Sequence, residues 1–181
     1  SKEDKLREEL KEVEKTVREL LKRNNELIER VREEVERRLE ENNRLIKEVK
    51  DRIDDLLRKL KDDSDERSVR RVRETVTRLV EELKRHADRL VEEVRRLVEE
   101  LKKHADEVLE RVKRLVDDVT RKAKDIREIV KTIKEILDEI RRHLERNKDR
   151  LEKELTRVRE TAEKNKRDLE KVLEDVDRKA K

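Results

Sequence analysis

His86 and His104 are the residues of this chain best suited to proton chemistry near neutral pH, the range in which imidazole changes charge. They stand eighteen positions apart, and so do Asn24 and Asn42, and Asn147 and Asn165. Each pair interrupts a stripe of Leu, Ile and Val. That spacing is about five α-helical turns, so each pair shares one helix face with about 27 Å between its members. The pairs also match across chain reversals. Asn42 and His86 are centred on residue 64, as are Asn24 and His104; His104 with Asn147, and His86 with Asn165, are both centred between 125 and 126. Three antiparallel helices turning near 64 and 124 would stack two Asn–His–Asn layers: Asn24, His104 and Asn147 in one, Asn42, His86 and Asn165 in the other.

Several chemistries compete for these residues. A buried Asn in an apolar seam fixes register at some cost in stability, and this is the simpler reading of the four asparagines. Asn25, Asn43, His143 and Thr161 lie beside the seam and form a secondary set that could brace the layers. A core histidine donates from one ring nitrogen and accepts at the other. A layer that needs the neutral ring would be weakened by acid, so the six seam residues are also the candidate pH switch. Metal binding is not expected. The two seam histidines are too far apart to share an ion, and the chain has no Cys, whereas zinc sites usually need three or four ligands. Catalysis is not expected either. The carboxylates stand on solvated faces with Lys or Arg three and four residues away, where they support a helix. A closed seam offers no evident pocket. No cofactor is expected.

The elements that must hold these residues are legible from periodicity. The first seam runs Leu6, Leu10, Val13, Val17, Leu21, Asn24, Ile28 and onward to Leu60 in steps of three and four, as one helical face requires. Five steps sum to eighteen, a period of 3.6, which predicts nearly straight helices rather than a strong left-handed supercoil. Helices are expected over about 2–62, 65–121 and 126–180, as a single bundle over 1–181. Ser64 is the expected N-cap of the second helix, and Asp125 with Glu128 resembles a capping box for the third. The second helix carries the clearest repeat. VEELKRHADRLVEEVRRL at 80–97 and VEELKKHADEVLERVKRL at 98–115 agree at 12 of 18 positions. Flanking apolar residues such as Leu27, Val80, Val98 and Val116 widen the seam and call for a third neighbour. The predicted fold is all-α: an elongated, nearly straight antiparallel three-helix bundle, up-down-up, with each helix about 85 Å long.

Composition closes off other classes. Charged residues make up 59% of the 181, and Gly, Pro, Cys, Met, Trp, Tyr and Phe are all absent. Such charge can signal disorder, but the unbroken apolar period overrules it. The balance of 55 basic and 51 acidic residues leaves +4, with no basic block and no aromatic for stacking, so nucleic acid is not an expected partner. No apolar run approaches the ~20 residues that span a bilayer. No signal-peptide pattern opens the chain. Localisation is not readable. A monomer needing no partner is expected, with a swapped or lateral dimer as the alternative, because long hairpins with short turns can exchange.

The missing residue types, the near-duplicate VEELKRHAD and VEELKKHAD blocks and the matched Asn and His layers together resemble de novo designed helical bundles. The likeness covers the whole chain. It implies buried hydrogen-bond networks placed to specify register, with His networks serving as pH switches in a subset of such proteins. Some of that subset are made to disturb membranes on acidification. This chain lacks an aromatic-rich or unusually broad apolar face, in which it departs from them. The expected function is thus a non-enzymatic structural scaffold with two Asn–His–Asn layers that loosen when the histidines are protonated. Acid-activated membrane disruption is the rival, and a natural coiled-coil or spectrin-like spacer another.

Overall fold

A computed structural model describes residues 1–179. They form three helices, α1 (Lys2–Asp62), α2 (Glu66–Lys122) and α3 (Arg127–Lys179), with no strand among the described residues. The expected end of the third helix at residue 180 lies outside them. Long helices follow from a chain without Gly or Pro, rich in strong helix formers, with one continuous apolar face.

Both turns are made without a left-handed residue. The first corrects the expected cap. Asp65, not Ser64, caps α2: its Oδ1 accepts from the Ser68 backbone N–H at 2.7 Å, and its carbonyl accepts from Val69 at 3.0 Å. An Asp in this position satisfies an orphan amide and places its negative charge at the positive end of the helix. That backbone bond, opposed by partial desolvation and aided by the Ser68 hydroxyl, holds the Asp65 carboxyl below its ordinary value. At the second turn, α3 starts one residue later than expected. The Ile126 carbonyl accepts from Val130, which puts Ile126 in the cap position and Asp125 outside it. Packing explains the shift, because Ala123 is fully buried and Ile126 packs against the same apolar cluster.

The chain divides into two compact units. Unit 1 comprises Ser1–Arg32 and Arg96–Lys153; unit 2 comprises Glu33–Arg95 and the described chain from Glu154 onward. Each holds a stretch of all three helices. In unit 1, α2 and α3 run antiparallel, since Lys102 pairs with Glu152 and Asp106 with Lys148. There α1 and α3 run parallel, with Asn25 bonded to Asn147 and Glu29 paired with Arg150. In unit 2, Arg38 with Glu93 and Asn42 with His86 make α1 and α2 antiparallel. Lys84 with Glu170 and Asp88 with Lys166 do the same for α2 and α3. The architecture is therefore an up-down-up three-helix bundle.

The cores are aliphatic. Unit 1 buries Leu6, Leu10, Val112, Ile133, Ile140 and their neighbours; unit 2 buries Ile53, Val76, Val80, Leu83, Leu169 and theirs. Full burial of one such side chain contributes roughly 1.5–3 kcal/mol. The flanking positions Val80, Val98 and Val116 are as buried as the seam itself, because a third helix covers them. No large apolar side chain is exposed among the described residues.

Candidate functional site

The polar residues of the seam face into these cores. In unit 1 Asn24 and Asn147 are buried, and the Asn147 amide donates to two oxygens of α1. It reaches Asn24 Oδ1 at 2.6 Å and Asn25 Oδ1 at 2.9 Å. His143 Nε2 meets the same Asn25 oxygen at 2.8 Å. A carbonyl oxygen only accepts, so His143 donates through Nε2–H. His104, in the same unit, is half-buried, and its Nδ1 is buried without a hydrogen-bond partner; Asn24 Nδ2 is likewise unpartnered.

Unit 2 is built from the equivalent positions and bonds differently. Asn42 is buried, and its Oδ1 meets His86 Nδ1 at 3.1 Å. By the same reasoning His86 donates through Nδ1–H. Asn165 is half-buried, and the Nδ2 atoms of Asn42 and Asn165 have no partner. Asn43, the counterpart of Asn25, is exposed. Thr161, the counterpart of His143, turns its hydroxyl back onto the Arg157 carbonyl of its own helix at 2.9 Å. The secondary set thus forms hydrogen bonds across helices only in unit 1.

Burial, with help from the Arg146 and Arg150 guanidinia and against the opposing pull of Glu139, lowers the His143 imidazole below its ordinary value. His86 has a second environment. It lines a cleft of about 430 Å³ with Glu34, Arg37, Arg38, Glu41, Arg89 and Glu93. Arg38 pairs there with both Glu34 and Glu93, and Arg37 with Glu34. The lining carries three Arg and three Glu and has no net charge to select an ion.

One set of residues escaped the sequence reading. Lys84 and Asp88 of α2 pair with Glu170 and Lys166 of α3, flanking His86. Lys102 and Asp106 pair with Glu152 and Lys148 in the same way, flanking His104. Each histidine is bracketed by two cross-helix ion pairs of opposite polarity. The signal was present in the sequence, where the eighteen-position spacing also relates Lys84 to Lys102, Asp88 to Asp106, Lys148 to Lys166, and Glu152 to Glu170.

Among the described residues no three of His, Cys, Asp and Glu are grouped so as to hold a metal ion. No helix among the described residues is long and apolar enough to cross a membrane. No known family model matches the chain, and no curated protein does. Among solved structures it is similar to a computationally designed three-helix bundle, at 18% identity and a TM-score of 0.39, over 99% of this chain and 84% of that one. So loose a superposition bears on neither the fold nor the purpose of this chain.

Proposed function

We propose that this chain is a de novo designed structural scaffold, monomeric and without enzymatic activity, whose buried Asn and His layers specify helix register. The observation that carries this reading is the Asn147 amide, which donates to Asn24 and Asn25 in an otherwise aliphatic core. A buried amide lowers stability relative to a packed hydrocarbon, and its use lies in selecting one pairing over slipped ones. The need is acute here, because α2 presents nearly the same segment twice, at 80–97 and at 98–115. The ion pairs bracketing His86 and His104 support the helix direction in the same reading, since their alternating polarity matches antiparallel helices and would set like charges together in parallel ones.

Acid-dependent loosening belongs to the same proposal. It is favoured by the His143 ring, which burial and two neighbouring guanidinia hold towards the neutral form.

The test is a methyl NMR spectrum of Ile, Leu and Val labels, read with light scattering at neutral pH. A single dispersed set of peaks at the mass of one chain is expected. Collapsed dispersion with binding of a hydrophobic dye would mark a molten core and overturn the reading. So would doubled peaks from coexisting registers.

A further inference from the structure

We infer that the two seam histidines take opposite hydrogen-bonding roles: His86 donates to its asparagine, whereas His104 accepts from Asn24, so that acid weakens the layer of unit 1 and spares that of unit 2. This rests on the scaffold reading and adds to it which histidine responds.

The argument begins from one pair used twice. Asn42 with His86, and Asn24 with His104, are the same pair of positions, displaced by one repeat along α1 and α2. In unit 2 the amide of Asn42 turns its oxygen to the ring, 3.1 Å from Nδ1. In unit 1 that oxygen is engaged by Asn147 Nδ2 at 2.6 Å. Asn147 is itself held in place by a second bond to Asn25, whose oxygen also takes the His143 proton. With its oxygen turned to α3, Asn24 is left with Nδ2 for α2. Asn24 Nδ2 and His104 Nδ1 are both buried, and both lack a partner. One is a donor, and the other is an acceptor in the Nε2–H tautomer. A side-chain rotation that joins them would complete a one-way chain, Asn147 to Asn24 to His104, and remove two buried orphans together. Each orphan otherwise carries a desolvation cost with no bond to offset it.

The direction of the bond decides the response to acid. An imidazolium has two N–H donors and no acceptor. His86 already donates through Nδ1 and keeps its bond on protonation. At His104 the new proton would enter at Nδ1 and face an amide N–H, donor against donor.

The charged groups around His104 are balanced. On α2, Lys102 and Asp106 flank it, and each is paired across to α3, with Glu152 and Lys148. The repeat places Glu107 and Arg111 of α2, and Glu19 and Arg23 of α1, where the lining of the His86 cleft stands in unit 2. His143 on α3, bonded to Asn25, is the other imidazole of this layer.

Two measurements on the full chain test the inference. Long-range proton–nitrogen correlation spectra at pH 7.5 report which ring nitrogen carries the proton. His86 is expected as the Nδ1–H tautomer and His104 as Nε2–H, with the His104 preference lost in Asn24→Leu. A shared tautomer, or a proton on His104 Nδ1, would overturn the proposal. Urea midpoints at pH 7 and pH 5 are then compared in a His143→Gln background, which removes the third imidazole and retains a donor. His104→Asn is expected to flatten the fall between the two pH values, and His86→Asn to leave it in place. Equal flattening by both would also overturn it. Either failure leaves the methyl spectrum, and with it the scaffold reading, untouched.

Discussion

Asn147 donates its side-chain amide to Asn24 at 2.6 Å, joining α3 to α1 inside a core otherwise filled by aliphatic side chains. The bond is a commitment between two positions. Removing either partner strands polar atoms of the other, while removing both leaves hydrocarbon against hydrocarbon.

Asn147→Leu alone is therefore expected to lower unfolding free energy by about 1–3 kcal/mol, through the stranded Asn24 amide. Asn24→Leu with Asn147→Leu should recover most of that loss, or exceed the parent. Urea denaturation of the two singles and the double provides the measurement. Additive losses would mean that the two side chains are not coupled.

The aliphatic core sets the larger cost. Ile140 is fully buried in unit 1, so Ile140→Ala should destabilise by about 2–5 kcal/mol and Ile140→Val by about 0.5–1.5 kcal/mol. Chemical denaturation of both variants ranks them. A cost for Ile140→Ala no greater than that of Ile140→Val would mean that the site collapses or is solvated.

The cap of α2 gives a test with a built-in control. Asp65→Ala should lower the melting temperature, while Ser64→Ala should leave it unchanged, because only Asp65 accepts the Ser68 amide. The sign with pH follows from the lowered carboxyl. Its contribution is present above the unfolded value of 3.8 and is lost as pH falls through the lower folded value. Thermal melts at pH 7 and in strong acid should show the gap between Asp65→Ala and the parent closing.

His143 works in the same pH direction, over a higher range. A base held towards its neutral form stabilises the fold fully above its unfolded value of 6.5. That contribution fades as pH drops through 6.5 and levels off below the folded value. An NMR titration of the ring is expected to give a midpoint below 6.5. Arg146→Gln should move that midpoint upward by removing a nearby positive charge. A midpoint unaffected by Arg146→Gln would contradict the contribution of Arg146 and leave burial as the cause.

The ion pairs bracketing His86 contribute little energy and more specificity. Lys84→Glu should cost about 0.2–1 kcal/mol, and the added Glu170→Lys should restore it, measured by urea denaturation at low salt. A double variant no better than the single would mean that the pair seen between α2 and α3 does not form.

Much of this arrangement could be read from the chain because a period of 3.6 in apolar residues leaves few alternatives to helix. The seam marked the helix spans to within a residue or two, and Asn24, Asn42 and Asn147 as buried. The rest depended on side-chain geometry that spacing does not carry. Asn25 and His143 bond across helices while Asn43 and Thr161 do not, although the same repeat relates the two sets. Ile126 took the cap position that Asp125 was expected to fill, because apolar packing outweighed a charged cap. The opposite uses of the Asn24 and Asn42 oxygens follow from where Asn147 reaches, which depends on its second bond to Asn25.

The most direct test of the account is hydrogen exchange at the asparagine side chains, followed residue by residue in a single sample. The Asn24, Asn42 and Asn147 amides are buried, while Asn43 is exposed and serves as an internal reference. The account expects the three buried amides to exchange slower than Asn43 by orders of magnitude, as groups released only on large-scale opening do. Exchange of Asn24 and Asn147 at the rate of Asn43 would show a layer open to water or shared among several registers, and would contradict it.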